Sequence, residues 1–173
     1  MKTTQNGFNP NLDLTKAFHS KIMLINDTLN AENGMVLLQA GVNGPPIHIH
    51  PEQEELFRVV KGQLDVFVKD TWHSLKEGQE IFVPKKTPHS YRSRHHEDCL
   101  FEYTLTPIRH FSEMMRSFEK LQNEGKLKGT DLKSIIYLSM NFKRYRNEVV
   151  SVSPPNFVIS AMAGIGKLVG LKL

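Results

Sequence analysis

The sequence predicts a mainly β fold that closes into a sandwich or a barrel and is followed by C-terminal helices. Short segments with strand patterning follow one another between residues 21 and 106, and tight turns with glycine at Gly62 and Gly78 separate neighbouring segments. After Pro107 the apolar residues change to helical spacing. Many short strands at close intervals are typical of sandwiches and barrels, whereas the later periodicity predicts a helical extension.

The N-terminal part of the chain is expected to form an arm, residues 1–20, with a turn at Asn9-Pro10. The predicted strands that follow it cover residues 21–25, 35–40, 55–60, 63–69, 72–75, 80–83, 89–93 and 99–106. A jelly roll is one closed arrangement of such strands, although their periodicity alone does not select it.

Helices are predicted in the C-terminal part of the chain. The first carries apolar residues at helical spacing from Phe111 to Leu121, with Ser112 as its cap and Gly125 at its end. A second helix is predicted over residues 131–145 from the same pattern. The chain is therefore expected to divide into a barrel with its arm, residues 1–110, and a helical extension, residues 111–173.

The last predicted helix begins at Ser153-Pro154, which resembles a cap followed by proline at the first helical position. Residues 157–173 are apolar and rich in small side chains, with Lys167 and Lys172 as their only charges. An anchor at a membrane surface is one interpretation, but the polar face is poor. We favour a helix packed on the barrel or on a partner subunit, because buried helices are also apolar on all sides.

Composition excludes several classes of protein. A length of 173 residues suits one domain with an elaboration, and the single cysteine, Cys99, excludes an intrachain disulfide. The net charge is +4, but the basic residues are scattered and form no nucleic-acid-binding motif. The N-terminus lacks the apolar run of a secretory signal, and no segment is long enough to span a bilayer. A cytoplasmic location is therefore expected.

Four residues, His48, His50, Glu55 and His89, are candidate metal ligands. His48 and His50 are two positions apart, so both rings point to one face of a strand. If the strands that carry the four residues face inward in a barrel, their side chains converge. Three imidazoles and one carboxylate can hold a divalent first-row metal and leave positions open. Alternatively, these are ordinary hydrogen-bonded residues, and Glu54 is a competing ligand on the opposite face of its strand.

The segments around these residues resemble the paired signature motifs of the cupin superfamily. The first motif is matched by His48, His50, Glu55 and Gly62, and the second by Gly78, Pro84 and His89. Lys86 and Ser93 depart from it, standing where the family often has glycine and asparagine, and Val42 stands where the first motif opens with glycine. The resemblance covers residues 35–106 and implies a jelly-roll β-barrel, also called a double-stranded β-helix.

The resemblance also implies a function. It implies one divalent transition metal (iron, manganese, nickel, zinc or copper) at the four candidate ligands and a small organic molecule as substrate. Dioxygenase, isomerase and decarboxylase reactions are all open. A barrel that binds or senses a small ligand without turnover, possibly without metal, is the alternative. A barrel with a purely structural metal is a third hypothesis, and a homodimer is expected in each case.

The pocket of such a barrel would have aromatic and aliphatic walls. The residues expected on these walls are Phe57, Val59, Phe82, Tyr91 and Tyr103, which could equally be ordinary core. Tyr91 shares a strand face with His89, so it is a candidate catalytic residue that donates a proton or orients a ligand.

Overall fold

The chain folds into two antiparallel sheets that enclose a common core. The computed structural model describes residues 8–28 and 30–173, and within these one sheet has six strands and the other has five. The first sheet has the order β1 (Leu12–Leu14), β2 (Ser20–Thr28), β3 (Ala31–Leu38), β10 (Cys99–Thr106), β5 (Glu54–Lys61) and β8 (Glu80–Val83). The second has the order β11 (Val150–Ser153), β4 (Ile47–Ile49), β9 (His89–Arg92), β6 (Gln63–Val68) and β7 (Thr71–Lys76). The predicted mainly β, cupin-type jelly-roll barrel is confirmed.

Alternation along β5 shows how the sequence divides the inside of the barrel from the outside. Glu55, Phe57 and Val59 are buried, whereas Glu54, which precedes them, and Arg58, which lies between Phe57 and Val59, are exposed. Successive side chains of a strand point to opposite faces, so one register fixes the whole set. Glu54, the competing ligand candidate, therefore lies on the outer face.

Part of the predicted N-terminal arm forms a strand and a short helix that the sequence did not predict. Residues 1–7 of the predicted arm lie outside the described residues, but Leu12 and Leu14 of β1 are buried and pair with β2. A short helix, α1 (Thr15–Phe18), follows directly. A three-residue strand is too short to show a period, which is why the pattern did not reveal it.

Helices α2 (Phe111–Asn123) and α3 (Leu132–Arg144) lie where the sequence predicts them. Asp131 caps α3 by accepting a hydrogen bond from the backbone N–H of Ser134 at 3.1 Å. The prediction that Ser112 caps α2 is wrong, because the helix begins one residue before it. Glu32 of β3 caps α2 instead, and its carboxylate accepts hydrogen bonds from the backbone N–H groups of Arg109 (2.8 Å), Phe111 (3.3 Å) and Ser112 (2.8 Å).

The segment after α3 returns to the barrel before the last helix begins. β11 pairs antiparallel with β4, with Ser151 opposite His48. Because residues 150–153 pair with β4, the last helix, α4 (Asn156–Leu168), begins two residues after the predicted first helical position, Pro154. The helical extension thus contributes one strand to the second sheet, and a domain division at residue 110 stays a prediction.

Helix α4 packs on α3 through its small residues. Gly166 is buried against Ile136 and Met140, whereas Phe157 and Leu168 on the outer face are 74% and 88% exposed. Within the described residues, every helix is too short or too polar to cross a membrane. One face of α4 thus packs on α3, and packing of the tail on the barrel or on a partner subunit stays a prediction.

The two glycines of α4 provide a matched test of this packing. We expect Gly166→Ala to lower the free energy of unfolding by about 1–3 kcal/mol, because its Cβ would lie 2.6 Å from Met140 Sδ and 2.7 Å from Ile136 Cγ2. Gly164→Ala meets no atom within 4 Å. It should raise stability by up to about 1 kcal/mol through helix propensity. Urea denaturation of both variants measures the difference, and equal effects would contradict the close α3–α4 contact.

Candidate metal centre

The structure brings the four candidate ligands together at one point inside the barrel. One ligand atom of each of His48, His50, Glu55 and His89 lies within 4.8 Å of the others. His48 and His89 face each other across β4 and β9 of the second sheet, His50 follows β4, and Glu55 comes from β5 of the first sheet. All four side chains are buried, so both sheets contribute to one enclosed polar cluster.

A backbone carbonyl oxygen contacts Nδ1 of each histidine ring and fixes the tautomer of that ring. Nδ1 of His48 lies 2.8 Å from the carbonyl oxygen of Pro46, and Nδ1 of His89 lies 2.8 Å from that of Thr87. Nδ1 of His50 lies 2.7 Å from the carbonyl oxygen of Glu148. A carbonyl oxygen only accepts, so each Nδ1 carries the hydrogen and donates it. In the neutral rings the lone pairs are then on Nε2, the nitrogen that usually binds a metal when a backbone carbonyl holds the other.

The inward atoms of the cluster are acceptors that lack a donor. Nε2 of His89 and His50 lie 2.9 Å and 3.5 Å from one Glu55 carboxylate oxygen. With Nδ1 of both rings protonated, these contacts bring acceptor against acceptor, and no other hydrogen-bond partner for these three atoms is found among the described residues. A cation removes this conflict. Two ligands that are each about 2.1 Å from one ion and at about a right angle are roughly 3 Å apart.

The pKa shifts of Glu55 and His48 favour metal binding, whereas the shift of His89 opposes it. Burial favours the neutral form of Glu55, but the contacts with His50 and His89 outweigh burial and hold the pKa of the carboxyl well below its usual range. Burial and the neighbouring rings of His89 and His50 lower the pKa of His48 well below 6.5. His89 differs, because its contact with Glu55 outweighs burial and raises its pKa. The residues therefore fit a divalent cation, and a proton on His89 is the competing way to satisfy Glu55.

His50, one of the four candidate ligands, is oriented by a residue outside the matched motifs. Glu148, whose carbonyl accepts from His50, lies two residues before β11 and is 2% exposed. Its carboxylate accepts from the Nε of Arg109 at 3.4 Å and from the backbone N–H of His110 at 3.3 Å. Sequence reasoning missed Glu148, and no sequence signal points to it, because the group that contacts His50 is a backbone carbonyl.

A cavity of about 70 Å³ adjoins His48 and Glu55. Three of the predicted pocket residues, Phe57, Tyr91 and Tyr103, line it. Helices of the extension form its roof, through Phe111, Met114, Met115 and Phe118 of α2 and Phe142 of α3. The sequence predicted these residues as apolar helix faces but not as walls of the site.

The remaining two pocket residues lie elsewhere. Val59 is buried in the core but does not line the cavity. The prediction that Phe82 is a pocket wall is wrong, because Phe82 is 53% exposed. It pairs with Leu56, whereas the inward-facing Phe57 pairs with Ile81, so Phe82 points outward by one register position.

Tyr91 lines the cavity and contacts Phe57 with ring centroids 5.8 Å apart. Burial, and then the negative charge of Glu55, raise the pKa of its hydroxyl above the ordinary value of 10.0. Tyr91 therefore stays protonated at neutral pH, so it can donate a hydrogen bond but is a poor general base.

Comparison with known sequences places the motif region in a family. Residues 34–105 match a family described as a cupin domain. The chain is 26% identical over 117 residues to quercetin 2,3-dioxygenase of Bacillus subtilis (strain 168), which covers 60% of this chain and 35% of that protein. It is 31% identical over 61 residues to protein SchB of Streptomyces halstedii, which covers 35% of this chain and 44% of that protein. The chain thus spans less than half of the length of either relative.

Solved structures resemble this chain in fold. An RmlC-like cupin from Shewanella frigidimarina NCIMB 400 superposes with a TM-score of 0.53 at 18% identity, covering 65% of this chain and 96% of that chain. KdgF from Halomonas sp. superposes with a TM-score of 0.50 at 22% identity, covering 54% of this chain and 83% of that chain. At these identities the likeness concerns the fold alone.

Proposed function

We propose that the chain is a metal-dependent cupin enzyme acting on a small organic molecule, because residues 34–105 match a family described as a cupin domain. His48, His50, Glu55 and His89 hold one divalent transition metal in this proposal. The observation that carries it is the convergence of buried acceptors within 4.8 Å, with each ring oriented through its other nitrogen. The adjoining cavity supplies the space for a substrate.

A bound metal would supply Lewis-acid chemistry, or redox chemistry if it is iron, manganese, nickel or copper. The chain's own residues orient the ligands and line the cavity. The carbonyls of Pro46, Thr87 and Glu148 hold the three rings in place. Tyr91 donates a hydrogen bond to the bound molecule, and the apolar walls exclude water.

A dioxygenase-type reaction is the first to test, because the Bacillus subtilis relative bears that name. Isomerase and decarboxylase reactions are the alternatives within the same proposal. Iron, manganese, nickel and copper suit the first reaction, and zinc suits only chemistry without electron transfer.

Binding without turnover is the second candidate function. It is favoured by the absence of a separate acid–base pair among the described residues that line the cavity. Beyond His48 and Glu55, the titratable side chains there are the tyrosines Tyr91 and Tyr103. A ligand sensor needs only the pocket, with or without metal. The homodimer and the cytoplasmic location stay predictions.

Elemental analysis of untagged protein, prepared without chelators, tests the proposal. We expect near-stoichiometric metal in the wild type and its loss in the His48→Ala/His50→Ala double variant, because two of four ligands are removed. Removing the metal from the wild type with a chelator should abolish turnover and spare the fold of the barrel. No metal as purified, and none retained after incubation with several divalent ions, would leave the metal-free binding barrel as the function.

A further inference from the structure

Helix α4 carries an apolar stripe on the face opposite Gly166, the residue that packs on α3. Phe157 and Leu168 at the two ends of the stripe are largely exposed, and Ala161 between them is exposed as well. A side chain at Gly164, the fourth position, would meet no atom within 4 Å. These positions recur after four, three and four residues, the spacing with which two helices pack along a common seam. The stripe is therefore an open surface of the right spacing for a second helix.

The apolar area of this face matches one side of a stable protein interface. Ile165 and Val169 adjoin the stripe and are 45% and 64% exposed. With them, the face leaves roughly 500 Å² of apolar side-chain surface in water, judged from the exposed fractions and the sizes of the side chains. One partner in a standard interface buries about 800 Å², of which roughly 500 Å² is apolar. The face is thus large enough to form the apolar part of such an interface.

The order of side-chain sizes along the stripe makes it complementary to a second copy of itself. The order is large, small, small, large, and it is the same when read in either direction. In an antiparallel pair of α4 helices with a two-fold axis between positions 161 and 164, Phe157 of one copy faces Leu168 of the other, and Ala161 faces Gly164. The small residues let the two helices approach closely where they cross, and the large ones fill the space on both sides. A two-fold interface requires this kind of self-complementarity.

Charge favours the antiparallel arrangement over the parallel one. Lys167 is the only charged side chain of α4 and lies beside the stripe. In the antiparallel pair it is level with Val158 of the other copy. The two copies of Lys167 are then separated by nine positions, or about 13 Å along the axis, which exceeds the Debye length of about 8 Å. In a parallel pair the two ammonium groups would lie side by side.

We propose that two copies of this chain pair through the outer faces of their α4 helices, which cross antiparallel around Ala161 and Gly164. Residues 1–7, which precede the described part of the chain, offer no comparable cover for the stripe, because Met1 is their only large apolar side chain. The pairing does not depend on the metal centre. Because α4 packs on α3, whose Phe142 lines the cavity, it would stabilise a wall of the cavity in each copy.

Ala161→Glu tests the pairing by placing two like charges where the helices cross. The two copies of residue 161 are about 4–5 Å apart along the axis, so their carboxylates repel each other in a site that excludes water. We expect sedimentation equilibrium to give the wild type at least twice the chain mass of 19.8 kDa. Ala161→Glu should halve the mass of this assembly and raise its dissociation constant by about 100-fold or more.

The variant should keep its fold, because Ala161 is exposed and glutamate is a good helix former. Far-ultraviolet circular dichroism checks this. Asn123→Glu is the matched control, since it adds the same charge at an exposed position at the end of α2, away from the stripe. It should assemble as the wild type does. A folded Ala161→Glu with the wild-type mass would overturn the proposal.

A mixture of two variants tests the two-fold arrangement itself. Ala161→Lys should dissociate as Ala161→Glu does, whereas an equimolar mixture of the two brings glutamate opposite lysine at the crossing. We expect the mixture to regain the mass of the wild type. If each variant is dissociated and the mixture stays so, the two copies do not cross around position 161 and the proposal fails.

A membrane surface is the other occupant that an exposed apolar helix face can have. Sedimentation with vesicles of phosphatidylserine and phosphatidylcholine measures this. A wild type that keeps the mass of one chain at about 100 μM overturns the self-pairing, and loss of its vesicle binding in Ala161→Glu would assign the stripe to a lipid surface instead.

Discussion

His50→Ala and His89→Ala are each expected to lower metal affinity by more than about 100-fold. Loss of a residue that only supports a ligand typically costs 10–100-fold, and these changes remove a ligand itself. Both rings point their Nε2 atoms at Glu55, at 3.5 Å and 2.9 Å. Competition with a chromophoric chelator gives the affinity of each variant, and elemental analysis gives its metal content.

Two other histidines of the chain serve as controls. His95 lies on the outside of the barrel, with Nε2 3.4 Å from Asp65 Oδ1, and His96 is exposed. We expect His95→Ala and His96→Ala to bind metal as the wild type does. Equal metal content in all four variants would refute the ligand assignment, and circular dichroism excludes misfolding as the cause of any loss.

Glu32→Ala is expected to lower the free energy of unfolding by about 3 kcal/mol. The carboxylate is 1% exposed and accepts from three backbone N–H groups at the start of α2, besides Gln53 Nε2 at 3.3 Å. Without it these donors are left buried and unpaired, at about 1–3 kcal/mol each when no water replaces the acceptor. The negative charge also stabilises the positive end of the helix. Urea denaturation at neutral pH measures the loss.

Glu97→Ala and Glu32→Gln are the control variants for this loss of stability. Glu97 is exposed in a turn, so its removal should change stability by less than about 0.5 kcal/mol. Glu32→Gln keeps one acceptor oxygen and the shape of the side chain, so it should lose less than Glu32→Ala. If Glu32→Ala unfolds like the wild type, the start of α2 is satisfied by other groups and Glu32 is not its cap.

The contrast between His89 and Phe82 shows what a strand pattern can predict. The ligands were accessible from the sequence because two-residue spacing fixes a shared face and the motifs fix which face is inward. Phe82 lacked such a reference, since β8 is four residues long and its register against β5 depends on the fold. A shift of one position sends every side chain of a strand to the other face.

The contacts that cap α2 and orient His50 could not be predicted from the sequence, for another reason. Glu32 and Ser112 are 80 positions apart, and no local pattern links a strand carboxylate to the start of a distant helix. The contact between His50 and Glu148 spans 98 positions and uses a backbone carbonyl, which every residue has. By contrast, the cap of α3 lies three residues from its partner and was within reach of local rules.

The hydrogen bond between His50 and the carbonyl of Glu148 has a thermodynamic consequence. If the metal binds as proposed, orienting His50 and docking β11 against β4 are parts of one equilibrium. Linkage is reciprocal. If docking of β11 tightens metal binding, then bound metal stabilises the docked strand by the same free energy. Because β11 follows α3, whose Phe142 lines the cavity, occupancy of the centre would also affect a wall of that cavity.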